Sequence, residues 1–308
     1  MKVTDVNELK NIAKKVRVDI LDEIYYAKSG HPGGALSCAD ILTVLYFNEM
    51  KLCLEDDECD NLDETIESDI DRDRKTGIDE CGELNCNENK NTQRDRFILS
   101  KGHASAGLYA VLAERGFFSK DLLHSFRSIN GKLQGHPSIN TVKGIDMTTG
   151  SLGQGLSVAN GMAIASKIDK INNRVYCLLG DGELEEGQVW EACMTASKYK
   201  LDNLCAIVDC NNLQLTGDTE SVKGLDCENI ENKFKSFGFN TVVINGNSIV
   251  EILEAFKKAK SVKEKPTCII AKTIKGKGVS FMENNVSWHG KAPSEEEYKK
   301  AIEEINKN

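Results

Sequence analysis

The sequence predicts an α/β protein: a doubly wound, mostly parallel sheet with helices on both faces. One observation is the alternation of the second half, where strand-like apolar runs at Arg174–Leu179, Leu204–Val208, Thr241–Ile244 and Thr267–Ala271 are separated by amphipathic stretches near 188–200, 228–237 and 248–260. Strands that alternate with helix-length segments favour parallel pairing through crossovers. The other is the first half, where apolar residues recur at helical spacing (Val6, Leu9, Ile12, Val16, Ile20, Ile24) up to Ser29-Gly30. A second apolar helix is expected over Ala39–Met50, order is expected to resume at Arg94–Ser100, and a short charged helix is expected within Lys291–Asn308. With four prolines and no internal repeat, the 308 residues read as one domain, 1–308, carrying one insertion over 53–92.

Composition narrows the function classes. The net charge is −9, and residues 55–88 alone hold 15 Asp/Glu against 3 Lys/Arg, which leaves the rest of the chain near +3. No basic surface for nucleic acid is expected. The longest apolar runs are strand-length, so no membrane span is expected, and Met1–Lys10 lacks the apolar core of an export signal. Eleven cysteines in a chain of this kind are read as thiols of a reducing cytoplasm, with Cys177, Cys205 and Cys268 acting as small hydrophobes inside strands. Cys53, Cys59, Cys81 and Cys86 of the insertion have loose spacings that make a poor zinc signature.

Four of the five histidines adjoin glycine: Gly30-His31-Pro32, Gly102-His103, Gly135-His136-Pro137 and His289-Gly290. Any one of them fits a histidine that merely satisfies a loop. Four in the same setting point to a ligand approached closely by backbone. His124, in Asp121-Leu-Leu-His-Ser-Phe, lacks the setting and reads as structural. Leu179-Gly-Asp181-Gly182-Glu183 ends a strand, where open parallel sheets gather ligands, and Asp181 suits a divalent cation beside a phosphate. Alone, it also fits an ordinary strand-to-helix turn capped by Asp. Val208-Asp-Cys-Asn211-Asn-Leu213 ends the next strand one β-α-β unit later, so Asp181 and Asn211 can converge as oxygen ligands. Thr148–Gly155 is a glycine-rich turn running into a helix, which by itself fits any phosphate site.

Taken in order, Ser29-Gly-His-Pro-Gly33, Ser100-Lys-Gly-His103, Gly135-His-Pro137, Thr149-Gly-Ser-Leu-Gly-Gln-Gly155, Gly180-Asp-Gly182 with Glu186-Gly187, Asn211 and Trp288-His-Gly290 resemble the signature of transketolases. The resemblance covers nearly everything outside 52–92. The first histidine motif is unlike that usual in the related deoxyxylulose-phosphate synthases. It implies the thiamine diphosphate-binding fold, with Asp181, Asn211 and the Leu213 carbonyl holding Mg²⁺ (or Ca²⁺) against the cofactor. It puts Gly182, through its N–H, and Glu183, His103 and His289 beside the diphosphate, His289 also reaching the substrate. Gly150 and Leu152 would contact the aminopyrimidine and Leu215 the rings, while His31 and His136 would face the reacting sugar. Glu186 and Glu191 would meet their counterparts across a dimer of this chain.

The resemblance also implies what the chain needs. Full-length transketolases continue into a pyrimidine-binding domain that carries the ring-activating glutamate, so a C-terminal, pyrimidine-binding transketolase subunit is the expected partner. The expected substrates are sugar phosphates, between which a two-carbon ketol unit moves with the cofactor as electron sink. Rival readings are another thiamine diphosphate enzyme half, such as a 2-oxoacid dehydrogenase component, or a non-catalytic cofactor-binding protein. The polar histidine lining speaks against the first. Deleting Asp56–Asn89, which lies outside every motif, is expected to leave turnover of the assembled enzyme within about twofold, because loop length costs little entropy. Loss of folding, or one tightly held zinc per chain by elemental analysis, would make the segment structural.

Overall fold

A computed structural model of the chain describes residues 2–52 and 93–307. The insertion and its four cysteines therefore lie outside the described residues.

The N-terminal helix α1 (Val6–Ala27) starts where Asp5 accepts the Glu8 N–H at 2.8 Å and stops at Lys28, which is left-handed at φ 52°. The helix expected over 39–50 is formed in two pieces and has a short helix before it. Pro32 opens α2 (Pro32–Ser37), α3 (Ala39–Val44) follows, and a π-helical turn, Leu45–Glu49, completes it. Strand β1 (Arg96–Leu99) leads through a 3₁₀ turn, Gly102–Ala104, into α4 (Ser105–Arg115). The sequence pattern gives no sign of α4. Residues Ser105 to Ala113 are all buried, so the helix shows no polar face and no amphipathic period.

From there the expected alternation holds: α5 (Gly155–Ile168), β2 (Val175–Gly180), α6 (Gly187–Lys198), β3 (Leu204–Cys210), a small hairpin of β4 (Leu213–Gln214) and β5 (Gly217–Asp218), α7 (Thr219–Lys223), α8 (Cys227–Ser236), β6 (Asn240–Asn245), α9 (Ile249–Ser261), β7 (Thr267–Lys272) and α10 (Glu295–Lys307). The main sheet has the order β1-β2-β3-β7-β6 and every pairing in it is parallel.

Strand alternation divides the core. Tyr176, Leu178, Cys205, Ile207, Ile269 and Ala271 point to the side covered by α1, α3, α4 and α9. Cys177, Leu179, Ala206, Val208, Cys268 and Ile270 point to the side covered by α5, α6 and α8. Helices before and after the insertion thus share one apolar cluster with the sheet. Among the described residues no helix is long and apolar enough to cross a membrane.

The cysteine expectation is met in part. Cys38, Cys177, Cys193, Cys205 and Cys268 are free and buried, but Cys210, at the end of β3, is joined to Cys227, at the start of α8. Tertiary packing brings together two cysteines 17 residues apart, which spacing alone does not reveal. His124 is exposed, with its ring 4.1 Å from that of Tyr26.

Ile270→Ala in the buried strand β7 is expected to cost about 2–5 kcal/mol, since its neighbours are locked by both sheet and helix packing. Val243→Ala on the edge strand β6, where the side chain is 38% exposed, should cost about 1 kcal/mol or less. Urea unfolding of the two variants checks the contrast, and equal losses would contradict this division of the core.

Candidate active site

The carboxyl ends of the parallel strands collect the candidate residues. Asp181 follows β2 directly and is 2% exposed. Its Oδ1 accepts the Gly182 N–H at 2.8 Å and its Oδ2 accepts the Asn212 N–H at 2.5 Å, which ties the end of β2 to the loop after β3. In that loop Asn211 Oδ1 accepts the Leu213 N–H at 3.2 Å. The Leu213 carbonyl accepts from Lys275 Nζ at 2.8 Å. Asp181, Asn211 and Leu213 are therefore brought together as the sequence suggests. A carboxylate, an amide oxygen and a carbonyl oxygen form a hard-oxygen donor set, and a cation, the Lys275 ammonium, already rests on one of them. These residues fit a magnesium-type ion. Among the described residues no group of three His, Cys, Asp or Glu converges as a metal site, so any cation here relies on amide and carbonyl oxygens.

Three of the four histidines form one cluster. The rings of His31 and His103 lie 5.3 Å apart, those of His103 and His289 5.3 Å, and those of His31 and His289 5.7 Å. His289 Nδ1 is 3.1 Å from Lys275 Nζ, which joins the cluster to the oxygen set. His31 Nδ1 is buried without a hydrogen-bond partner. His136 stands apart from the three. It packs on Gly150, where a β-carbon would lie 3.4 Å from its ring, and φ of +154° at that position further favours glycine. Gly102 is similarly pressed, since a β-carbon there would meet Gly150 N at 2.9 Å.

Burial first, then neighbouring cations, pulls all four histidines below their ordinary range. His31 and His289 fall to about 4, His103 falls well below its usual value, and His136 is lowered too. They are neutral at pH 7, the state in which an imidazole can both give and take a proton. Burial and the nearby Asp209 push Asp181 up to about 6, and burial lowers Lys275 to about 8.

Glu183 and Gly182 have partners within the chain. Glu183, expected beside the diphosphate, is 3% exposed and fully engaged. It accepts from Ser100 Oγ and the Gly153 N–H (2.9 Å) on one oxygen and from the Gly180 N–H (3.0 Å) on the other, so it braces three loops. The Gly182 N–H, expected to face the diphosphate, donates to Asp181 instead. Leu152 (37% exposed) and Leu215 (69%) lie open at the surface, and Glu186 and Glu191 are exposed at the start and on the outer face of α6.

The model of the transketolase thiamine diphosphate-binding domain matches residues 79–306. The chain belongs to the transketolase family. It is 38% identical over 301 residues to an apulose-4-phosphate transketolase subunit from Phocaeicola vulgatus, covering 98% of this chain and 95% of that one. It is also 38% identical to a 6-deoxy-6-sulfo-D-fructose transketolase subunit from a Clostridium species, covering 97% of each. Human transketolase is 39% identical over 298 residues, but the chain spans 42% of its length. The crystal structure of Campylobacter jejuni transketolase superposes with a TM-score of 0.80 at 34% identity, covering 98% of this chain and 43% of that one.

Two residues of this transketolase-family site were not singled out from sequence. Lys275 lies three residues past β7, and its only signal was its place at a strand's carboxyl end. Arg127 is left-handed at φ 54°, donates from Nη1 to Ser29 Oγ at 3.0 Å, and lies against Gly135. It links the loops that carry His31 and His136, a contact across 98 residues of chain with no local signature.

The histidines make a pH prediction. With folded values near 4 and an ordinary value of 6.5, His31 and His289 bind protons in the unfolded chain before the native one does. Stability from them is fully present above pH 6.5 and is lost as pH falls towards 4. Asp181 acts with the opposite sign, so the comparison must isolate the histidines. Relative to a His31→Asn/His289→Asn variant, the wild-type thermal midpoint should drop between about pH 7 and pH 5. Parallel curves for the two proteins would contradict the neutral assignment.

Proposed function

We propose that this chain is the diphosphate-binding subunit of a split transketolase, active only with a pyrimidine-binding partner subunit. One observation supports the reading: the Asp181–Asn211–Leu213 segments meet Lys275, and Lys275 in turn meets His289 of the histidine cluster, while Leu152 and Leu215, the residues read as contacts of the cofactor rings, are left exposed. The near-complete overlap with two transketolase subunits, against 42% of the human enzyme, supports the same division of labour.

In this reading Asp181, Asn211 and Leu213 would hold Mg²⁺ (or Ca²⁺) against the diphosphate of thiamine diphosphate. The bound cofactor supplies the electron sink for cleaving a carbon–carbon bond. Lys275 adds positive charge beside the diphosphate wall. His31, with an unpartnered buried nitrogen, and His136, on the Gly150 side, orient sugar hydroxyls and exchange their protons as neutral imidazoles. His103 and His289, the latter 3.1 Å from Lys275, would exclude water and line the diphosphate. The substrates are a ketose phosphate donor and an aldose phosphate acceptor, as in pentose phosphate exchange. We place the work in the cytoplasm, which the five buried free thiols suit.

The chain also offers a surface for a second copy. On α5, Gly161, Ala165 and Ile168 are exposed along one face, and on the adjacent α6 Glu191 and Met194 are exposed. Small residues with an exposed methionine make a close-packing face, and Glu186 and Glu191 border it. The assembly would be two copies of each subunit.

The experiment is to purify this chain free of host transketolase and assay it on xylulose 5-phosphate and ribose 5-phosphate with Mg²⁺ and thiamine diphosphate. No ketol transfer is expected from the chain alone. Adding the partner subunit should restore turnover and tighten cofactor binding, because the cofactor then stabilises the joined assembly by mass action. Substantial turnover without a partner would overturn the half-enzyme reading.

A further inference from the structure

Asp209 is the last acidic residue of β3 and is 0% exposed, yet nothing in the chemistry above uses it. Its carboxylate is the meeting point of four segments. Oδ2 accepts from Ser37 Oγ of α2 at 2.5 Å, from Lys101 Nζ of the turn before His103, and from Asn211 Nδ2 at 3.3 Å. Oδ1 accepts from Thr273 Oγ1, just past β7. Lys101 is itself 2% exposed, and its ammonium also donates to the Gly34 carbonyl at 2.7 Å. Lys101 and Asp209 are thus a buried ion pair at the floor of the candidate site.

Such a pair is a weak device for stability. Desolvating both charges offsets most of their attraction, and apolar residues of similar volume often do as well. What the pair does locally is specific. The Asn211 side chain donates from Nδ2 to Asp209 and accepts on Oδ1 from the Leu213 N–H. Turning the amide over would set its oxygen against a carboxylate and its NH₂ against an N–H, so two attractive contacts would become two repulsive ones. We propose that Asp209, neutralised by Lys101, is a positioning residue of the metal site that locks the Asn211 amide with its oxygen available to the cation. The proposal rests on the assignment of Asp181, Asn211 and Leu213 as metal ligands. It adds a residue that acts through one of them, as carboxylates behind metal ligands commonly do. Through Lys101 and Gly34 the same carboxylate also couples the metal loop to the segments that carry His103 and His31.

The test uses the complex of this chain with its partner subunit and measures Mg²⁺ affinity by calorimetry in the presence of thiamine diphosphate. Asp209→Asn removes the charge that holds the amide. Lys101→Met/Asp209→Leu removes the pair together and leaves no buried charge unmatched, so it remains informative if the single variant does not fold. Both are expected to weaken Mg²⁺ binding by about 10- to 100-fold. Ser37→Ala deletes a different hydrogen bond to the same carboxylate. It should lower the thermal midpoint while keeping Mg²⁺ affinity within about twofold, which separates positioning from support of the fold. Unchanged Mg²⁺ affinity in the folded double variant, or in a folded Asp209→Asn complex, would overturn the proposal. A wild-type complex that binds neither Mg²⁺ nor thiamine diphosphate would instead sink the metal assignment itself.

Discussion

The parallel register between β2 and β3 pairs Gly180 with Asp209, and the rest of the site depends on that pairing. Parallel strands all deliver their carboxyl ends to one edge, so whatever follows each strand is gathered there. Ser100 and Lys101 follow β1, Asp181 follows β2, Asn211 follows β3, and Thr273 to Lys275 follow β7. A one-residue slip between β2 and β3 would exchange the two apolar faces of the strand and move Asp181 away from the Asn212 N–H. Register is held against this by burial on both sides of the sheet, since neither face has a solvent-tolerant alternative.

Gathering polar groups at one edge of a buried sheet has an electrostatic consequence. Lys101, Lys275 and Arg127 stand near four histidines in a poorly solvated region, and each cation makes a proton on a neighbouring imidazole less favourable. The imidazoles of the site are therefore held neutral by burial and by fixed ammonium and guanidinium groups beside them. Lys101 is a buried cation whose counter-charge, Asp209, is buried with it. Burial would lower its pKa, but Asp209 more than reverses this, so the pair stays ionised.

The outer parts of the site follow a different rule. Leu152, Leu215 and Met194 are apolar and exposed, in contrast to the closely packed interior behind them. Glu183 ties Ser100, Gly153 and Gly180 together in that interior. The Cys210–Cys227 link adds a covalent brace beside Asn211, joining the metal loop to α8.

Sequence by itself determined the alternating strands and helices, the edge at which candidate residues would gather, Asp181 and Asn211 as candidate oxygen ligands, and the four glycine-flanked histidines. Those features are local or periodic: an apolar run of strand length, a Gly-Asp-Gly turn, an Asn one β-α-β unit later. The family resemblance added the Leu213 carbonyl and the roles expected of the histidines. Tertiary structure decided what depends on contacts between distant segments. It grouped His31 with His103 and His289 and left His136 on Gly150. It showed that Glu183 ties Ser100, Gly153 and Gly180 together, contacts between segments that no local pattern records. It also revealed α4, whose buried circumference erases the amphipathic period. Arg127, Lys275 and Asp209 meet Ser29, Leu213 and Lys101, which lie from 62 to 108 residues away along the chain. Periodicity reports which face of an element is buried; it carries no record of which distant donor a buried carboxylate will meet.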